Sequence, residues 1–457
     1  MVVERFHTAG FNAAAYLIVC GNEAALVDPQ RDIAPYLQAA AANNARIKYV
    51  LLTHLHSDFV SGHLEVAAAT GATIITGPGV STRFAAEKPA HGSHLTVGNC
   101  NMEVLHTPGH TPDSVCYLLR AADGRPAYLF SGDTLLADAI GRPDTTESNT
   151  DTNELLHQLH QSLRQVLQLP DAVRVCSAHG AAGEQPITLA QLKEVLPALH
   201  ETDLQNFTTS VMQQPALHPA GRLHNLQYNR NGYPTLQQLQ AAATAYDVAG
   251  FQQALKNNNC MVLDTRSATA FTQGFVPGAI FIGLENRFCR WAGALLAPET
   301  PLLLVCEPGT ETEVINRLAK VGLHQVMGYL AGGFESWQQA GAPIDMIIDV
   351  EADELAMDLP YDDNLIVVDV RQEPEFAAGH VKDAVHLPLA EINDPGLLAN
   401  IEDSDNLYLH SGTGYRSVIA ASFMKRQGFH NLRNVRGGWE AIRAQRIETV
   451  KEKAGLN

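Results

Sequence analysis

Two imidazoles and a carboxylate crowd one short stretch of this chain, Thr53-His54-Leu55-His56-Ser57-Asp58-Phe59. Nitrogen and oxygen donors at alternate positions suit a metal ion, because neutral imidazole and carboxylate together ligate transition metals. Further donors follow: His110 after the turn-forming Pro108-Gly109, Asp133 in Ser131-Gly132-Asp133-Thr134, and His179 before Gly180. A surface or capping role would explain any one of these histidines. The ordered set points to one metal site. Phe59, directly after Asp58, can ligate nothing.

The elements around these residues would place them together. The apolar run Tyr49-Val50-Leu51-Leu52 reads as a buried strand that projects the first motif from its end. Strands are also expected over 14–19, 23–28, 72–76, 102–106, 115–119, 127–131 and 172–175, and helices over 34–43, 64–70 and 154–169. Each donor group then falls at a strand end, on one edge of a sheet sandwich. Residues 200–235, with Gln213-Gln214-Pro215, His218-Pro219 and Asn229-Arg230-Asn231-Gly232, read as an irregular extension leading into a linker.

The C-terminal half repeats itself at a constant offset of 105 residues. Asp264 and Arg266 recur as Asp369 and Arg371, Phe271 as Phe376, Gly274 as Gly379, Ala279 as Ala384, and Gly332-Gly333-Phe334 as Gly437-Gly438-Trp439. Two copies of one strand–helix domain are expected, each with a largely parallel sheet covered on both faces. The expected boundaries are 1–240, 241–345 and 346–457.

Composition narrows the function classes. A net charge of −18 disfavours nonspecific binding to nucleic acid or to an anionic membrane. No apolar run approaches the roughly 20 residues that span a bilayer, and the first residues do not read as a secretory signal. The cysteines are seven, scattered and without a CxxC pair, which reads as reduced thiols in a cytoplasmic protein.

Thr53-His54-x-His56-x-Asp58, Gly109-His110-Thr111, Gly132-Asp133-Thr134 and His179-Gly180 together resemble the metallo-β-lactamase superfamily over roughly residues 1–200. Val60-Ser61-Gly62 and Gly141-Arg142-Pro143-Asp144 resemble its persulfide dioxygenase branch. That resemblance implies an αββα sandwich and one Fe(II) per chain held by His54, His110 and Asp133. Two imidazoles and one carboxylate leave about three positions of an octahedral metal open, room for a persulfide and dioxygen side by side. A dinuclear hydrolase of the superfamily would carry histidine where this chain has Phe59. His56, Asp58 and His179 become residues that orient ligands or water, and Arg142 and Asp144 residues that order the loop beside the metal. The implied reaction oxidises a persulfide of glutathione, coenzyme A or bacillithiol type with O2 to sulfite and thiol.

Each C-terminal repeat resembles a rhodanese domain. The family's loop carries a cysteine at its head and ends in an arginine, with backbone N–H groups pointing inward to stabilise a persulfide anion. In the second repeat this loop is Ser411-Gly412-Thr413-Gly414-Tyr415-Arg416, with serine at the nucleophile position. The cradle and Arg416 are retained, but a hydroxyl with no evident base is a poor nucleophile and no persulfide carrier. In the first repeat the loop is Cys306-Glu307-Pro308-Gly309-Thr310-Glu311, whose carboxylates are expected to raise the thiol pKa and repel an anionic donor. Thiosulfate or sulfite are the implied small partners, and the resemblance also implies self-association. A zinc thioester hydrolase of glyoxalase II type and a non-catalytic sulfur-binding module are the alternatives.

Overall fold

The computed structural model describes residues 1–8, 10–147, 151–180, 185–214, 223–257, 259–285, 287–394, 396, 401–402 and 404–451. The chain divides into two compact units. One comprises Met1–Gln238 with Asn316–His324, the other Leu239–Ile315 with Gln325–Asn457.

Two mixed sheets face each other in the first unit. β1 (Val2–Thr8), β2 (Ala13–Cys20), β3 (Glu23–Val27), β4 (Arg46–Leu51) and β5 (Thr73–Ile75) lie side by side in chain order. The second sheet contains β6 (His94–Val97), β7 (Cys100–His106), β8 (Val115–Arg120), β9 (Pro126–Gly132), β10 (Arg174–Ser177) and β11 (Ile187–Thr188), in the order β11-β10-β9-β8-β7-β6. Strand alternation explains the layers. Tyr16 and Ile18 of β2 point inward and meet Met102, Val104, Tyr117 and Phe130 of the second sheet. Leu17 and Val19 point outward, against Tyr36 and Ala40 of the helix Ala34–Ala42 and Val66 of the helix His63–Thr70. On the far side the helix Thr152–Val166 covers the second sheet. Asp151 caps its first turn, and Leu155, Leu159, Leu163 and Val166 form its buried stripe. The result is the helix–sheet–sheet–helix order expected.

Two expectations fail here. Cys20 of β2 and Cys100 of β7 form a disulfide, so not all cysteines are free thiols. The pairing depends on β2 and β7 facing each other across the sandwich, which a separation of 80 residues conceals. Cys116, Cys176, Cys260, Cys289 and Cys306 are buried and lie outside this disulfide. Second, much of 200–235 is helical, over Leu204–Gln213 and Leu223–Asn231. Asp203 caps the first of these helices, which buries only Phe207 and Val211, so its polar majority obscured the helical period. His218-Pro219 lies outside the described residues.

The second unit contains two five-stranded sheets, all of whose pairings are parallel. The first has β12 (Thr244–Tyr246), β13 (Met261–Asp264), β14 (Ile280–Phe281), β15 (Leu302–Val305) and β16 (Val326–Leu330), in the order β12-β16-β15-β13-β14. The second has β17 (Ile348–Val350), β18 (Leu365–Asp369), β20 (Val385–His386), β21 (Asn406–His410) and β22 (Leu432–Val435), ordered β17-β22-β21-β18-β20; β19 (His380–Val381) and β23 (Thr449–Val450) pair separately. The two orders are the same, and the repeated residues explain each other. Arg266 donates to Asp264 and to the carbonyl of Gly274, and lies 4.1 Å over the Phe334 ring. Arg371 does the same with Asp369, Gly379 and Trp439, at 4.4 Å. A buried ion pair loses several kcal/mol when one partner is removed, roughly 3–5, so the motif recurs as a set. Among the described residues no helix is long and apolar enough to cross a membrane.

Candidate functional site

Five strand ends meet on one edge of the sandwich. β3 and β4 run parallel and end at Asp28 and the 53–59 loop. β7 and β9 are both antiparallel to β8, and β10 is parallel to β9. Their ends therefore deliver His110, Asp133 and His179 to one side. The approach is close: Gly132 has φ 55°, and a Cβ there would lie 2.5 Å from Thr53 Oγ1. Only glycine takes both that backbone and that contact.

His54, His110 and Asp133 come together, with one donor atom from each lying within 4.8 Å of the others. His110 Nε2 is 3.5 Å and His54 Nε2 4.0 Å from Asp133 Oδ2. Hydrogen bonding selects the ring tautomers. The single hydroxyl proton of Thr53 goes to Asp28 Oδ2 at 2.7 Å, so its Oγ1 can only accept from His54 Nδ1, 3.1 Å away. His110 Nδ1 donates to the Arg142 carbonyl at 2.6 Å. Both Nε2 lone pairs are thereby left for a metal, and their partners fix the ring orientations. Burial, and then the neighbouring His56 and His110, hold His54 well below the ordinary histidine range, which suits a neutral ligand. Asp28, missed in the sequence, anchors this relay. It accepts from both Thr53 N and Oγ1 and takes a left-handed backbone, φ 47°. Such strain persists where surrounding bonds over-determine it. The donor set and its tautomers fit one transition metal.

A second metal finds little to bind. Phe59 is buried, and its ring stacks on His56 with centroids 4.3 Å apart. His179 has both nitrogens engaged, Nδ1 with Asp133 Oδ1 at 2.7 Å and Nε2 with Asp58 Oδ2 at 3.0 Å. Burial alone would lower its pKa; Asp133 and Asp58 together outweigh that and raise it well above the usual value. His56 Nε2 faces Asp28 Oδ1 at 3.3 Å, and its Nδ1 lies 3.9 Å from Asp58 Oδ1.

Arg142 and Asp144 do not pair with each other. The Arg142 guanidinium donates to the Gln214 carbonyl at 3.3 Å, while Asp144 accepts from Ser57 Oγ at 2.5 Å and from Thr146 N at 2.8 Å. The Asp144 N–H donates to the His110 carbonyl at 2.7 Å. This loop is thus tied to two of the donor-bearing segments.

The strongest support for the 53–59 loop was not legible in the sequence. Asn229 Nδ2 donates to the carbonyls of His56 (2.7 Å) and Phe59 (2.8 Å), and its Oδ1 accepts from Ser61 N at 2.9 Å. Asn225 Nδ2 donates to the Ser57 carbonyl at 3.1 Å. Both asparagines are fully buried, on the helix Leu223–Asn231, although Asn229-Arg230-Asn231-Gly232 read as a turn. Asn229→Ala is expected to leave three buried backbone groups unpaired. We expect a loss of about 2–4 kcal/mol in denaturant unfolding and of about tenfold in metal affinity. A change below about 0.5 kcal/mol would show that the loop holds itself.

In the second unit the Ser411 loop forms a turn onto the helix Tyr415–Arg426. Gly414 N donates to Ser411 Oγ at 3.1 Å, and Ser411 is buried. Arg416 pairs with both oxygens of Glu375 at 2.7 Å each, and that pairing brings the carboxyl down to about 2. Cys306 is pushed up to about 12, first by burial and then by Glu311, with smaller contributions from Asp264 and Glu307. Burial therefore matters more than the carboxylates that drew attention to this loop.

The rhodanese-like domain family matches residues 247–340 and 351–445, and the metallo-beta-lactamase superfamily matches residues 8–98. A hydroxyacylglutathione hydrolase of Yersinia enterocolitica is 31% identical over 202 residues, which span 42% of this chain and 71% of that protein. A crystal structure described as a metallo-beta-lactamase from Staphylococcus aureus is 28% identical, covers 72% of this chain and 98% of its own, and superposes with a TM-score of 0.63. ETHE1 from Myxococcus xanthus is 28% identical over 50% of this chain and 98% of its own, with a TM-score of 0.44. With its helix–sheet–sheet–helix sandwich and its His-His-Asp cluster, the chain belongs to the metallo-beta-lactamase superfamily and carries two rhodanese-like domains after that fold.

Proposed function

We propose that the first unit is a persulfide dioxygenase. Its reaction would be R–S–SH + O2 + H2O → R–SH + SO3²⁻ + 2 H⁺, with R a low-molecular-weight thiol carrier. The observation that carries this reading is the three-donor site of His54, His110 and Asp133, the one such group among the described residues, beside a second position filled by the Phe59 ring. Bound Fe(II) would supply the coupling of O2 to sulfur oxidation and leave positions for both reactants. The chain's own residues do the rest. Thr53 and the Arg142 carbonyl keep His54 and His110 in the ligating tautomer. Asp58 and His179 offer a polar pair beside the ligands, where a reacting water would be oriented. The two rhodanese-like domains favour sulfur as the chemistry, since a linked domain raises the local concentration of a reactive persulfide. By this reading the domains fall at 1–240, 241–345 and 346–457, the last inactive in sulfur transfer because of Ser411.

Thioester hydrolysis is the second reading, favoured by the hydroxyacylglutathione hydrolase relative. It uses a metal-activated hydroxide. Metal stoichiometry separates the two. Protein purified without added metal is expected to carry one iron per chain, whereas two zinc ions per chain would overturn the iron reading. Phe59→His is expected to convert binding from one ion to two per chain in zinc titration, since it adds an imidazole next to Asp58 and His179. Stoichiometry unchanged at one would mean that Phe59 does not close the second position.

A further inference from the structure

Residues Asn316–His324 belong to the first repeat by sequence, yet they pack as part of the first unit. They form the end of the helix Glu311–Lys320 and the turn after it. The Lys320 carbonyl accepts from Val60 N at 2.8 Å. Val60 is fully buried and directly follows Phe59, so this bond fixes the chain where it leaves the 53–59 loop. The Ala319 carbonyl accepts from Arg31 Nη1 at 3.3 Å. Arg31 is itself wholly buried. Its Nε and Nη2 donate to Glu65 Oε1 at 3.0 and 2.7 Å, and its guanidinium lies 4.4 Å from the centre of the Tyr233 ring. A guanidinium can only donate, so His324 Nε2, 2.9 Å from Arg31 Nη1, accepts, and His324 is neutral. Burial and then Arg31 hold that histidine at about 3.

The same turn lies against the helix Leu223–Asn231. The ring centres of His324 and Tyr228 are 4.4 Å apart, and His224 Nε2 donates to the Val321 carbonyl at 3.0 Å. Gly322 has φ 75°, and a Cβ there would lie 2.5 Å from both Asn225 Oδ1 and His224 Cδ2. Asn225 is the residue whose Nδ2 holds the Ser57 carbonyl. The segment therefore reaches the metal loop twice, directly at Val60 and through Asn225. The second repeat supplies an internal comparison. Its helix Tyr415–Arg426 ends in Gln427-Gly428-Phe429-His430, which matches Val321-Gly322-Leu323-His324 with one residue added to the repeat offset. Gly428 has a left-handed backbone too, φ 105°, but it is exposed, and a Cβ there would meet nothing within 4 Å among the described residues. The turn favours glycine in both repeats, whereas the close contact is made only in the first. That contact is not a demand of the repeat's own fold.

We propose that Asn316–His324 is a positioning element of the metal site, holding the Thr53–Phe59 loop through Val60 and Asn225. The first repeat, whose Cys306 loop is unsuited to sulfur transfer, then serves the first unit by donating this segment. The proposal rests on the metal site described above and on neither reaction considered for it.

Co(II) binding to the full chain tests it, with affinity measured by chelator competition and the coordination geometry by the visible absorption bands. Gly322→Ala is expected to weaken Co(II) binding about tenfold and to shift the bands. Gly428→Ala imposes the same backbone cost in the equivalent turn without the contact, and is expected to stay within about twofold with unchanged bands. Arg31→Lys keeps the charge beside Glu65 but loses the fork that reaches Ala319, and is also expected to weaken binding about tenfold; it decides the matter if Gly322→Ala does not fold. A loss in folded Gly322→Ala or Arg31→Lys that Gly428→Ala does not share supports the proposal. Unchanged affinity and bands in both, or an equal loss in Gly428→Ala, overturns it. Co(II) binding needs neither O2 nor persulfide, so this failure is separate from any failure of the oxidation reading.

Discussion

His110→Ala is expected to abolish iron loading and oxygen uptake together, with a fall of at least two to three orders of magnitude in activity. That exceeds the roughly 10–100-fold typical for a residue that only supports a ligand. His110 Nε2 lies 3.5 Å from Asp133 Oδ2, and its other nitrogen is committed to the Arg142 carbonyl. Among the described residues His54, His110 and Asp133 form the one group positioned to hold an ion, so no spare imidazole replaces it. His110 is nearly buried at the end of a short loop, and the variant is expected to keep its fold. Asp28→Asn is the matching control. It disturbs the Thr53 relay to His54 Nδ1 without removing a donor, and its loss is expected to stay within that 10–100-fold range. The check is iron per chain by elemental analysis alongside oxygen uptake. A His110→Ala protein that retains iron and half its activity would remove His110 from the site.

The second large effect is a gain. Ser411→Cys is expected to bring thiosulfate-to-cyanide sulfur transfer from background to at least about 10³-fold above it. The serine already occupies the place of a stabilised anion: Gly414 N points at its Oγ from 3.1 Å, and the helix Tyr415–Arg426 starts behind it. These groups lower a thiol's pKa, whereas a hydroxyl stays protonated under the same field. The sulfur would move as a sulfane atom from thiosulfate to the introduced thiolate, releasing sulfite, and then to cyanide, regenerating the thiolate. Cys306 is not expected to contribute, because burial and Glu311 push its thiol to about 12. The double variant with Cys306→Ser should therefore match Ser411→Cys alone. Activity that disappears with Cys306 would reverse the assignment of the two repeats.

The donors of the metal site were legible because each lies at the end of an apolar run, and strand ends collect on one edge in a sandwich. The repeat was legible because Arg266 and Arg371 need their aspartate, glycine and aromatic partners at fixed offsets. What escaped was side chain meeting backbone across long separations. Asn229 serves carbonyls about 170 residues away, and nothing in its neighbours distinguishes it from a turn asparagine. Asp28 looked like the end of a strand, and its link to Thr53 depends on β3 lying beside β4. The Cys20–Cys100 disulfide likewise depends on which strands face each other across the core.

Oxygen consumption on addition of glutathione persulfide to the iron-loaded chain, with sulfite measured in the same sample, decides whether the first unit oxidises persulfide. One sulfite is expected to form per O2 consumed. Hydrolysis of S-lactoylglutathione with no persulfide-dependent oxygen uptake would contradict it.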